Sequence, residues 1–139
     1  MEKSVHLVMS VSKEVKMLEV ASLLYEEVSR NVPFKATTVK KDDSGMRTFN
    51  ATIETNLMKA LKGDNLQVID LDIMEHRCLH LPTLTSIEFK DTLYMFIDDV
   101  IIGKMLMSSD DTTVNLGKSL KQLMAVQKSL VNSYNNMLG

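Results

Sequence analysis

Apolar and polar positions change period several times along this chain, and the changes mark its elements. Residues 5–11 alternate, with Val5, Leu7, Met9 and Val11 on one side and His6, Val8 and Ser10 on the other. A period of two predicts a half-buried first strand. From Ser12 the period lengthens. Met17, Val20, Ala21, Leu24 and Val28 fall at helical spacing, one apolar face of a helix capped by Ser12 and running to Asn31. Glu19, Glu26 and Arg30 point outward, and Pro33 ends the helix because the residue before a proline disfavours helical backbone.

Residues 34–41 alternate weakly and read as a strand near a sheet edge, where lysines discourage edge-to-edge association. Asp42, Asp43, Ser44 and Gly45 form a turn signal. Residues 47–54 alternate with Phe49, Ala51 and Ile53 inward, and residues 55–62 read as a short helix closed by Gly63; one long helix over 47–62 is the competing reading. Residues 66–73 are the densest run of strand formers, and an extended backbone is expected to continue toward residue 81.

Strand, helix, strand, strand, helix, strand is the βαββαβ order of ferredoxin-like folds. The expected fold class is therefore α+β, with a mixed or antiparallel sheet in a ferredoxin-like part over residues 1–81. A mainly helical extension is expected over 82–139, ending in a helical hairpin, all in a single domain. In that extension Thr85 and Glu88 fit a capping box, and Leu93, Phe96, Ile97 and Val100 match a helix over 86–107. A hairpin broken at Asp98 and Asp99 competes with it.

The last helix is expected over 113–137. Leu116, Leu120, Leu123, Gln127, Leu130, Tyr134 and Met137 form a stripe that returns every seven residues. Such a helix is roughly 35 Å long at about 1.5 Å per residue, more than one small sheet covers. The surplus predicts pairing between subunits through Leu116, Leu120, Leu123, Leu130, Tyr134 and Met137. Packing wholly against the preceding helix is the alternative.

Composition changes this picture little. Hydrophobic residues at 45% and charged residues at 24% argue against disorder. A net charge of -2 gives no overall attraction to nucleic acid or acidic membranes. One cysteine excludes an internal disulfide, and no apolar run reaches membrane-spanning length, so the expectation is a cytoplasmic protein without a membrane partner. The 11 methionines, the absence of tryptophan and the two prolines resemble residue usage in AT-rich genomes, including many phages and viruses.

Candidate chemistry is sparse. His76, Cys78 and His80 lie at i, i+2 and i+4, a possible zinc set, yet on one straight strand they are spaced by about 7 Å. A bend before Pro82, with His6 or Asp72 added, is needed to close such a site. Otherwise no cofactor is implied. Lys35, Lys40, Lys41 and Arg47 form a basic turn suited to nucleic acid, although the adjoining strand lacks the glycine and second aromatic of an RNA-binding RNP1 pattern. Phe96 to Gly103, FIDDVIIG, resembles the YxDD hairpin of reverse-transcriptase palms, which would imply magnesium held by Asp98 and Asp99. The further aspartate, the fingers and the basic channel of such a palm are missing. Gly117, Lys118 and Ser119 end like a phosphate-binding loop, but Thr112 stands where that motif requires glycine.

The sequence thus reads as a non-enzymatic protein-interaction or assembly module that pairs with itself and with other proteins. A small-ligand or nucleic-acid binder using the sheet face and the 35–47 turn is the alternative. A metal-dependent enzyme around Asp70, Asp72, His76, Cys78 and His80 comes third.

Overall fold

A computed structural model describes residues 4–9, 12–26, 32–54 and 57–139. The elements are β1 (Ser4–Met9), α1 (Lys13–Glu26), β2 (Phe34–Val39), β3 (Met46–Thr52), α2 (Leu57–Ala60), β4 (Leu61–Lys62), β5 (Asn65–Asp70) and β6 (Glu75–His80). A 3-10 turn (Leu81–Thr83) leads into β7 (Leu84–Phe89), β8 (Thr92–Ile97), α3 (Asp99–Leu106) and α4 (Asp111–Leu138).

The strands form one eight-stranded sheet in the order β1-β8-β7-β2-β3-β5-β4, with β6 paired to β5. β1 runs parallel to β8, and the other pairings are antiparallel. The α+β class holds. The ferredoxin-like order does not, because among the described residues β1 pairs with β8 alone rather than lying between two strands of the first 81 residues.

Two apolar cores explain the arrangement. Phe34, Ala36, Phe49, Leu66, Leu79, Ile87 and Phe96 pack with Val20 and Leu24 of α1. Val39 and Ile97 pack instead with Ile101 and Met105 of α3 and Leu120 and Met124 of α4. Neighbouring strand residues point to opposite faces, so Phe96 and Ile97 are buried on different sides of the sheet. β2 likewise starts buried on one face and ends buried on the other. That is why its alternation is weak, and why the edge position expected for it is wrong: it lies between β3 and β7. An irregularity in the β2–β7 register at Thr37 and Thr38 is spanned by the Thr85 hydroxyl, which donates to the Thr37 carbonyl at 2.9 Å.

The expected run from residue 66 to 81 is a hairpin. β5 stops at Asp70 and the chain reverses through Leu71, Asp72, Ile73 and Met74, the last at φ 54. The Asp70 carboxylate accepts from the Asp72 amide at 3.0 Å, and the Asp72 carboxylate accepts from the Asn50 backbone at 3.1 Å and its side chain at 2.9 Å. These bonds hold a reversal that carries no glycine.

Residues 84–97 are also a hairpin, not the start of a helix over 86–107. Thr85 and Glu88, expected as a capping box, lie in β7, and the reversal falls at Lys90 (φ 53) and Asp91. The expected break at Asp98 and Asp99 is real, but a helix follows it rather than a strand. Asp98 caps α3 by accepting from the Ile101 amide at 2.8 Å. The region expected as a mainly helical extension therefore begins with two sheet strands. The helix expected over 55–62 is one turn followed by β4. The expected end of α1 at Asn31, and Val11 and Val28 on their stripes, lie outside the described residues.

Candidate functional site

Among the described residues, α4 carries more exposed large apolar side chains than any other element. Asp110 caps it, accepting from the Thr113 amide at 3.0 Å and the Thr113 hydroxyl at 2.5 Å. Its first half packs on α3 through Thr113, Gly117, Leu120 and Met124, all buried. Gly117 permits this approach, since a Cβ there would lie 2.8 Å from the Met105 Cβ. α3 has only 8 residues against 28 in α4. Beyond Met124, no residue of α4 is buried.

The stripe expected as an interface is thus divided. Leu120 is buried and Leu116 half-buried against the chain's own core. Leu123 (44% exposed), Leu130, Tyr134 and Met137 (83% exposed) are open to solvent. Val126 falls on the same face at about 100° per residue. Val131 and Leu138 widen it, and all three are exposed. An open cavity of about 230 Å³, lined by Leu7, Met9, Leu123, Val126 and Leu130, joins this face to β1. β1 itself exposes Val5 and Leu7. Lys118, Lys121 and Lys128 fall on other faces of the helix, and residues 129–139 carry no charged side chain.

The second feature is a basic cleft between β3 and β6, about 130 Å³ in volume. Thr38, Lys41, Arg47, Arg77, His80 and Thr83 line it, with Phe49 and Leu79 from the core beneath. Arg77 sits 5.2 Å from the Phe49 ring centre and its Nε donates to Asp70 Oδ2 at 2.9 Å. The His80 Nδ1 lies 3.0 Å from Asn65 Oδ1. Partial burial, and then the nearby Lys41 ammonium, hold the His80 imidazole below its ordinary pKa.

Of the basic residues read from the sequence, Lys41 and Arg47 reach this cleft, whereas Lys35 and Lys40 do not line it. Cys78 and His80 line it and His76 does not. His76, Cys78 and His80 follow one another along β6 opposite Ile69, Gln67 and Asn65. His6 is on β1 against Tyr94, far along the sheet, and the Asp72 carboxylate is engaged by Asn50. Among the described residues, no group of three or more His, Cys, Asp or Glu is placed to hold a metal ion.

The carboxylates of the palm-like motif have separate tasks. Asp98 caps α3 and Asp99 is exposed in its first turn. Gly117, Lys118 and Ser119 lie within α4. Sequence reasoning missed Lys16, whose side chain is wholly buried beside Asp98. The signal was its spacing: residues 16, 20, 23 and 24 share the buried face of α1.

No helix of the described residues is long and apolar enough to cross a membrane. No protein-family model, no curated protein and no solved structure matches this chain.

Proposed function

We propose that this protein is a non-enzymatic assembly module that pairs with a second copy of itself through the outer face of α4 and the adjoining β1. The uncovered stripe from Leu123 to Met137 carries this reading. With Val5, Leu7, Val131 and Leu138 it makes a contiguous run of exposed large apolar side chains, unlike the single scattered ones that are normal on a monomer's surface.

A second copy suits the surface better than a charged partner. A two-fold axis sets the same patch against itself, and the stripe carries no charge that would be repelled or stranded. The heptad spacing continues through the exposed half, so two copies of α4 can interlock as they cross. The exposed, unpaired Cys78 suits a reducing, cytoplasmic setting.

Native mass spectrometry of the purified chain tests this reading. A mass of two chains without metal or ligand supports it. A single chain, or a single chain carrying a partner protein, overturns self-pairing. A second reading, a binder of small anions, rests on the separate basic cleft.

A further inference from the structure

We propose that the cleft between β3 and β6 binds one phosphoryl group of a small molecule. Three cations reach it from separate parts of the chain: Lys41 from the turn after β2, Arg47 from β3 and Arg77 from β6. Among the described residues, no aspartate or glutamate lines it, and neither Lys41 nor Arg47 has a carboxylate within ion-pair distance. Arg77 is paired with Asp70 behind the cleft, so Lys41 and Arg47 supply the uncancelled positive charge.

Arg77 is fixed in place before any ligand arrives. Asp70 holds its Nε, and the Phe49 ring lies beneath its plane. That bond leaves the terminal nitrogens of the guanidinium for another acceptor, and a planar fork of donors matches an oxyanion in two-point contact. Asp70 is itself nearly fully buried, so Arg77 is anchored from the protein side. Thr38 adds a hydroxyl to the rim, whereas the Thr83 hydroxyl is committed to the His80 carbonyl at 2.9 Å.

Size selects the ligand. A volume of about 130 Å³ is well below the about 300–1,000 Å³ of drug-sized ligand sites, which suits a small oxyanion group rather than a whole ligand. The remainder of a phosphorylated molecule would lie outside, over the exposed Lys41 and Arg47. The strong preference of clustered guanidinium and ammonium groups for doubly charged oxyanions favours a terminal phosphate over a carboxylate. A nucleic-acid backbone is less well matched, because Lys35 and Lys40, which would extend the track, stand outside the cleft.

Amide chemical shifts of the full chain, followed during titration with inorganic phosphate, O-phosphoserine and a short single-stranded RNA, test the proposal. Lys41→Ala/Arg47→Ala removes two exposed cations without disturbing the core, and Lys35→Ala serves as the control. The expected result is saturable shifts at residues 41, 47, 77–80 and 83. Affinity should fall at least tenfold in the double variant and stay unchanged in the control. Whether inorganic phosphate or O-phosphoserine binds more tightly then names the source of the phosphoryl group. Shifts that do not saturate, that spread over all basic residues, or that survive the double variant overturn the proposal. So does tighter binding of the RNA than of either small phosphate.

Discussion

The Nζ of Lys16 lies 3.8 Å from Asp98 Oδ2 inside the protein, where the lysine side chain has no exposure and the aspartate almost none. The same Nζ donates to the Pro82 carbonyl at 3.0 Å, while the other carboxylate oxygen of Asp98 caps α3. One buried ion pair thus joins α1, the 3-10 turn before β7 and the start of α3. Removing one partner of such a pair strands the other charge, which costs about 3–5 kcal/mol. Lys16→Met removes the costly buried ammonium but strands the Asp98 carboxylate. Lys16→Met/Asp98→Asn, in which asparagine still caps the helix and no charge is unpaired, is therefore expected to be more stable than Lys16→Met by about 3 kcal/mol in urea unfolding. A double variant no more stable than Lys16→Met would contradict this.

The same lysine gives a pH dependence with a defined sign. Burial pulls its pKa from 10.5 down to about 8, with the Asp98 charge opposing the shift. Below about 8 the folded state carries the full cost of the buried charge. Between about 8 and 10.5 the unfolded chain holds the proton that the folded chain has released, so this group's contribution to stability rises with pH. Relative to Lys16→Met, the parent should gain up to roughly 3 kcal/mol across that window, at about 1.4 kcal/mol per unit. Unfolding curves for both proteins at several pH values measure it, and a flat or falling difference would refute the assignment.

Gly117 and Gly103 should respond to alanine with opposite signs. A Cβ at Gly117 would meet the Met105 Cβ at 2.8 Å, while none lies within 4 Å of a Cβ at Gly103. Overpacking of the α3–α4 contact costs about 1–3 kcal/mol, against a gain of about 1 kcal/mol in helix propensity. Gly117→Ala is expected to lower the melting temperature and Gly103→Ala to raise it. Equal shifts in a thermal melt would show that the helices do not meet at Gly117.

The parts of the fold that the sequence revealed are those with a single buried face. α1 and α4 have one apolar stripe each, and Val20, Leu24 and Leu120 sit where their spacing put them. β2 and β8 carry apolar residues to both faces, so TLYMFI, with Phe96 and Ile97 buried on opposite sides, has no strand period to read. Two reversals were hidden because their left-handed positions are occupied by Met74 and Lys90 rather than glycine or asparagine. The basic cleft escaped notice for another reason. Lys41, Arg47, Arg77 and His80 meet only because β5 and β6 fold back as a hairpin beside β3.

Sedimentation velocity over a range of concentrations, run on the parent chain and on Leu130→Glu/Tyr134→Glu, tests the central claim most directly. Both residues are exposed in the single chain, so the substitutions are expected to leave its fold intact, which circular dichroism checks. The account predicts a parent that sediments as two chains at micromolar concentration and a variant that sediments as one. A parent that stays a single chain at every concentration, or a pair that survives both glutamates, would contradict it.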